Sequence, residues 1–372
     1  MQQVKWAEFE LQELFESSNG DFDIQKVHIN NLGNYVITAG LSNNGIIGKT
    51  DVKAKIFEAN TITVDMFGNA FYRQFCYKMV THARVFSLKT NFGITQKQGM
   101  FFVSALHFLK YKFGYENMCS WAKVKSEKIS LPIKPNSNLA KLAQIDFDFM
   151  ENFIAQLEAF RLSQLEAYLL VTGLKNYTLT AVEQQALADF ENGKVVWGEY
   201  KVVDLFDVKN TKNILSRDVV ANSGHTPYLS ASRENNAVSS YISYNEDLLD
   251  KGDCIFIGGK TFVVTYQGQD FYSNDSHNLT LYLKDEPSKT KLNQLFMVSC
   301  IYKSLGKRYS WGDSISNKKI QTDWVTLPTN NQQPDYSFME ILISAVQKLV
   351  IKDVVLYADR KIAATRQVIE GD

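Results

Sequence analysis

Proline is scarce: the 372 residues hold six, none of them adjacent. The Asn-Pro-Pro-aromatic motif with which amino-methyltransferases hold a flipped base therefore has no place in the chain. No glycine-rich strand-to-helix cradle for phosphate or dinucleotide occurs, and Gly258-Gly259-Lys260 lacks P-loop spacing. Cysteines are few. Cys76, Cys119, Cys254 and Cys300 stand far apart with no Cys-x-x-Cys pair, which excludes a zinc ribbon or disulfide framework and predicts buried thiols in a reducing compartment. The five histidines, His28, His82, His107, His225 and His277, show no metal-ligand spacing. No apolar run approaches the roughly 20 residues that span a bilayer, and the start lacks the charged-then-apolar order of a signal peptide, so a cytoplasmic location is expected. There is also no net charge, which speaks against nucleic-acid binding unless the basic residues are concentrated locally.

What the chain does have is length and repetition. At 372 residues it exceeds the usual size of one hydrophobic core. Trp6-Ala-Glu-Phe-Glu-Leu-Gln-Glu-Leu-Phe15 returns as Trp197-Gly-Glu-Tyr-Lys-Val-Val-Asp-Leu-Phe206, 191 residues later (197 − 6). Further landmarks recur in the same order. Thr38–Gly48 matches Ser230–Ser240 around Asn43-Asn44 and Asn235-Asn236; Asn60–Gly68 matches Gly252–Lys260; His82–Lys89 matches His277–Lys284; Val103-Ser104 matches Val298-Ser299; and Leu131-Pro132 matches Leu327-Pro328. A duplicated domain explains such an order. Each decamer reads as an opening strand, with Trp6, Trp197, Phe15 and Phe206 as core residues. His82 and His277 read as one structural position in a strand of alternating burial.

Beyond each Leu-Pro, turn residues disappear and apolar residues take helical spacing. Met150, Phe153, Leu157 and Phe160 continue through Gln164, Ala167 and Val171, and Met339, Leu342, Val346 and Leu349 continue through Asp353, Leu356, Arg360 and Ala363, at the spacing of a coiled-coil seam. Two helices of about 30 residues, each roughly 45 Å long, are expected. Paired with each other across a pseudo-two-fold, they would run antiparallel. Residues 175–196 hold a short amphipathic segment around Val182–Phe190 and form the connection.

The neutral total conceals two basic stretches at matching places. Between Lys97 and Lys128 six lysines, Lys97, Lys110, Lys112, Lys123, Lys125 and Lys128, face only Glu116 and Glu127. Between Lys303 and Lys319, Lys303, Lys307, Arg308, Lys318 and Lys319 face only Asp313. Both interleave aromatics: Tyr111, Tyr115 and Trp121 in one, Tyr302, Tyr309 and Trp311 in the other. Lysines in this setting neutralise phosphates and an arginine such as Arg308 grips a guanine edge. Second-rank candidates are Arg73, Lys260 and Arg233 beside glycine or asparagine turns, and Asn43, Asn44, Asn235 and Asn236, because asparagine reads adenine. Asp51-Val-Lys53 and Asp207-Val-Lys209 carry a fragment of nuclease chemistry without an upstream acid, and read as surface charges.

The order domain, long helix, domain, long helix, with the Trp-x-Glu-aromatic opening and the Leu-Pro exit of each copy, resembles the DNA-specificity subunit of Type I restriction-modification systems, or the related Type IIB subunit. The resemblance covers nearly the whole chain. It implies a mixed α/β fold with two target-recognition domains, 1–138 and 197–332, joined by spacer helices at 139–174 and 333–372. It implies a non-catalytic chain that binds double-stranded DNA at a bipartite, asymmetric site and carries no cofactor. S-adenosylmethionine would sit on methyltransferase subunits, two of them, docked on the helices, with restriction or translocase subunits as further partners and no membrane. On the residues alone two other classes stay open: a self-contained DNA-modifying or DNA-cleaving enzyme with divergent motifs, and a helical-scaffold adaptor that binds protein only.

Overall fold

The structure of the protein is a computed structural model covering residues 4–134 and 140–370. The expected domain boundary at 138/139 and the last two residues lie outside the described residues. The chain falls into two compact units, Met1–Leu165 and Glu166–Asp372, and the division lies within the helix Phe147–Val171. Each unit is a mixed α/β body with its own core.

The repeated decamer is more than one strand. Lys5–Glu10 is extended, Leu11–Leu14 makes a single helical turn, and Phe15–Asn19 is extended again. The second copy repeats this as Trp197–Lys201, Val202–Leu205 and Phe206–Asn210. The turn places Leu11 and Leu14, three apart, on one buried face, as it does Val202 and Leu205. Its first N–H is bonded from outside: Leu11 N donates to the Glu127 carbonyl at 2.9 Å, and Val202 N to the Asp323 carbonyl at 3.0 Å. In both copies the opening strand pairs antiparallel with the strand carrying Leu-Pro, so that Trp6 lies opposite Pro132 and Trp197 opposite Pro328.

The sheets repeat too. In the first unit the four-stranded order is Phe15–Asn19, Phe86–Thr90, Thr61–Val64, Ala70–Arg73; in the second it is Phe206–Asn210, Leu279–Leu283, Cys254–Ile257, Val264–Gln267. A three-stranded sheet accompanies each: Ile46–Thr50, Asn34–Ile37, Tyr77–Met79 in one, Val238–Ile242, Thr226–Leu229, Tyr272–Ser273 in the other. The last pair of each is parallel, and both carry a register shift, at Val36/Ile37 and Tyr228/Leu229.

Strand register corrects three expectations. Phe15 pairs with Thr90 and Phe206 with Leu283, an offset of 193 (283 − 90), so His277 corresponds to Arg84 rather than to His82. The two imidazoles make unrelated contacts, His82 Nδ1 with Asp23 and His277 Nδ1 with Asp275. The same offset relates Thr61 to Cys254 and moves the Asn60–Gly68 landmark by one residue. Nor do the expected alternating strands alternate: Phe86, Ser87 and Leu88 are all buried, because the strand lies inside the sheet with both faces covered.

Phe15 and Phe206 are core residues as expected, but the tryptophans are not, Trp6 being 52% and Trp197 43% exposed. Each stacks on a helix phenylalanine instead. Trp6 and Phe101 have ring centroids 6.4 Å apart at 19°, and Trp197 and Phe296 6.5 Å apart at 21°. Cys119, Cys254 and Cys300 are buried, which pushes their thiols up to about 12; Cys76, expected buried, is exposed.

Both long helices form, at unequal lengths. Phe147–Val171 has 25 residues and Tyr336–Glu370 has 35, or about 37 and 52 Å at 1.5 Å per residue. Each is rooted in its own unit: Met150 and Ile154 join the first core, Met339 and Leu342 the second. Phe153, Leu157, Phe160, Val346 and Leu349 remain exposed. Further along, the covered face departs from the expected seam. Leu169 is buried where Ala167 and Val171 are exposed, and Val355 and Ala358 are buried where Asp353 and Arg360 are exposed. In the second unit Lys175 joins the two helices' residues, reaching Glu166 at 3.0 Å and Asp359 at 3.5 Å. The amphipathic segment of the connection is the helix Ala181–Glu191, capped by Thr180 and Glu183 and tied to the second long helix through Glu183, which accepts from Ser344 at 2.7 Å and Lys348 at 2.8 Å. No helix among the described residues is long and apolar enough to cross a membrane.

Candidate nucleic-acid interface

Two consecutive asparagines in each copy adopt the left-handed conformation that asparagine tolerates better than other side chains. Asn43 and Asn44 have φ of 47° and 52°, Asn235 and Asn236 of 48° and 53°. The first amide of each pair closes its own turn, Asn43 Nδ2 donating to the Ile46 carbonyl at 3.2 Å and Asn235 Nδ2 to the Val238 carbonyl at 2.9 Å. The loops are stitched at their bases by Thr38 N to Gly45 O at 2.8 Å and Ser230 N to Ala237 O at 2.9 Å. All four asparagines, with Arg233 beside the second pair, are exposed.

Arg73 is not an exposed reader. It is 2% exposed, its Nε donating to Thr63 Oγ1 at 2.9 Å and an Nη to the Asn44 carbonyl at 2.8 Å, and burial lowers its guanidinium to about 10. Lys260 is engaged with Asp275 at 3.0 Å. Burial alone would raise that carboxyl, but the backbone N–H and ring of His277, together with Lys260, outweigh it and hold Asp275 at about 2.

The basic stretches divide into clamps and unpaired charges. Lys112 Nζ donates to Glu127 at 2.7 Å and Arg308 to Asp323 at 2.5 Å, with both donors and acceptors 196 residues apart (308 − 112 and 323 − 127). Lys123 holds Asn117 and the Met118 carbonyl; Lys319, at the same offset, holds Asp313 and the Ser314 carbonyl. Lys128 reaches Glu8 at 3.2 Å. Tyr309 is buried, its hydroxyl donating to Asp323, so it stacks on no base. These residues lock the last loop of each unit.

Lys110, Lys125, Lys303, Lys307 and Lys318 are exposed and form no ion pair among the described residues. Lys110 lies over the Tyr111 ring at 4.8 Å. Tyr111 and Tyr115 are 76% and Trp311 81% exposed, an unusual state for large aromatics and one suited to stacking or sugar contact. Sequence reasoning missed Asp323 and Glu127 as the acceptors that remove Arg308 and Lys112 from the free set. The available signal was the same 196-residue offset that relates the two Leu-Pro exits.

No cluster of potential metal ligands occurs among the described residues. Asp51 accepts from Asn30 and Asp207 lies 3.8 Å from Lys284, which are surface contacts.

The structure is a duplicated α/β protein with an exposed basic stretch that holds exposed aromatics in each copy, and with two long helices. The chain belongs to the family described as the Type I restriction modification DNA specificity domain, which it matches twice, over residues 3–167 and 194–355. It is thus a DNA-recognition component of a restriction-modification system and not the catalytic one. It is similar to the specificity subunit S.BcgI of a Type II restriction enzyme from Heyndrickxia coagulans, 22% identical over 361 residues covering 94% of this chain and 96% of that one. Its fold is similar to the crystal structure of a Type I restriction-modification S subunit from M. genitalium, with TM-score 0.58, 13% identity and coverage of 100% of this chain and 96% of that one.

Proposed function

We propose that each unit reads one half of a split, asymmetric DNA site. The recognition domains are 1–138 and 197–332, the spacer helices 139–174 and 333–372, and the connection 175–196. The observation that carries this reading is that the corresponding basic stretch of each like-built unit keeps exposed lysines without ion pairs and large exposed aromatics: Lys110, Lys125, Tyr111 and Tyr115 in one, Lys303, Lys307, Lys318 and Trp311 in the other. The lysines neutralise phosphates and fix position, while the asparagine loops and aromatics read base edges and shape. The residues between landmarks differ in the two copies, so the two half-sites differ.

Methylation then comes from separate methyltransferase subunits, two per chain, which carry S-adenosylmethionine; restriction subunits join the same assembly, and the complex works in the cytoplasm. The exposed apolar residues of the long helices support such docking. In the first unit Trp6, Phe101, Phe149, Phe153 and Leu157 line an apolar groove of about 320 Å³. The purified chain, incubated with duplex DNA and S-adenosylmethionine, should bind in a salt-sensitive manner and leave the DNA unmodified. Methylation or cleavage without an added subunit would overturn the reading, and salt-insensitive or absent binding would favour a protein adaptor.

A further inference from the structure

Each asparagine loop lies along a hairpin of the four-stranded sheet, and the hairpins hold the loops by different chemistry at the same two places. Near the hairpin turn, Gly40 N donates to Asp65 at 2.9 Å in the first unit, and Thr261 Oγ1 donates to the Ala231 carbonyl at 2.7 Å in the second. Near the hairpin base, Arg73 donates to the Asn44 carbonyl at 2.8 Å, while Gln267 Nε2 donates to the Asn236 carbonyl at 2.9 Å. Arg73 and Gln267 occupy the same register: Arg73 lies opposite Thr61, and Gln267 opposite Cys254, the first residues of equivalent strands. Both are buried, and both also bond a strand threonine, Thr63 and Thr265 respectively.

A left-handed conformation is strained even for asparagine, and two such residues in succession persist only where neighbours over-determine them. The carbonyl of the second asparagine is the natural point to fix, because its peptide sets that residue's ψ and the φ of the next, Gly45 or Ala237, which is left-handed as well at 75° or 67°. An arginine buried for this task also explains why a cation sits where the surface has no use for its charge. From this we infer that Arg73 and Gln267 are positioning residues, each holding one asparagine loop in the single conformation that presents its edge to DNA. The inference rests on the reading that these loops touch DNA, and its test separates the two.

Hydrogen–deuterium exchange of the free full-length protein comes first. Gln267→Ala should speed exchange in residues 230–238 and leave 38–46 unchanged, and Arg73→Ala should do the reverse, whereas Arg73→Gln, which installs the second unit's own solution, should keep 38–46 protected. Unchanged exchange in both alanine variants, or loss of protection in Arg73→Gln, overturns the inference whatever the DNA does. Binding is then measured on a duplex carrying the mapped site and on two duplexes each with one half scrambled. Gln267→Ala should weaken binding roughly tenfold through the second half alone. Equal loss at both halves with a lowered melting temperature would reduce Gln267 to a stability role and contradict the inference. Altered exchange with unaltered binding would instead retain the positioning role and refute DNA contact by the loops.

Discussion

The two units close their last loop with the same bond made from different parts. In the first, Lys112 meets Glu127, whose side chain is 30% exposed; in the second, Arg308 and Tyr309 converge on Asp323, which is 0% exposed. The lesson is that the duplicated positions preserve geometry while chemistry drifts, and that burial decides how much each version matters. A half-exposed lysine pair is screened and exchanges with water. A buried carboxylate with two donors stabilises while complete and becomes a large liability when one side is removed.

The contrast has a direct consequence for stability. Tyr309→Phe with Arg308→Ala should strand Asp323 and cost the second unit about 4 kcal/mol, whereas Lys112→Ala should cost the first about 1 kcal/mol or less, as read by denaturant unfolding. Comparable losses would show that burial does not govern the difference.

A second asymmetry is the helix Ala181–Glu191. Burial would raise the Glu183 carboxyl, but Lys348, the Thr180 backbone N–H and the Ser344 hydroxyl outweigh it and hold it at about 2. Because the folded value lies below the ordinary 4.5, the stabilisation is complete above that pH and fades as pH falls toward about 2. An acid titration of wild type should lose about 3 kcal/mol from the second unit across this window, and Glu183→Gln should flatten that loss. A variant with the same acid profile would remove Glu183 from the account.

Smaller effects should separate clamps from contacts. Replacing Lys303, Lys307 and Lys318 by alanine should lower the salt dependence of DNA binding by about three phosphate contacts, and replacing Lys110 and Lys125 by about two, each through its own half-site. Loss spread evenly over both halves would break the division of labour. The smallest change in stability belongs to Leu157→Glu and Leu349→Glu, which should stay within about 0.5 kcal/mol of wild type because both sites are exposed. The same variants should fail to co-purify with the methyltransferase; intact assembly would disprove docking on these faces.

Much of the architecture was legible because duplication supplies its own control. The decamer, the paired asparagines and the Leu-Pro exits recur where backbone demands recur, and all fall at equivalent places in the fold. Side-chain fate was less legible, since it depends on register and partners. Arg73 reads as a turn-flanking cation, yet strand pairing turns it inward beneath Asn44. Arg308 and Tyr309 read as a guanine grip beside a stacking ring, and Asp323 claims both. His82 and His277 align as letters, but a two-residue difference in strand register separates them. Along the helices apolar spacing identified the roots, Met150 and Met339, while the covered face farther out followed Leu169, Val355 and Ala358, which several seams of near-equal spacing permit.

The measurement closest to the central claim is a map of modified bases in cells that express this chain with its methyltransferase. The account predicts one bipartite, non-palindromic sequence, two constant half-sites at a fixed spacing, with the Lys303, Lys307 and Lys318 variant relaxing one half only. A contiguous or palindromic site, or modification independent of this chain, would contradict it.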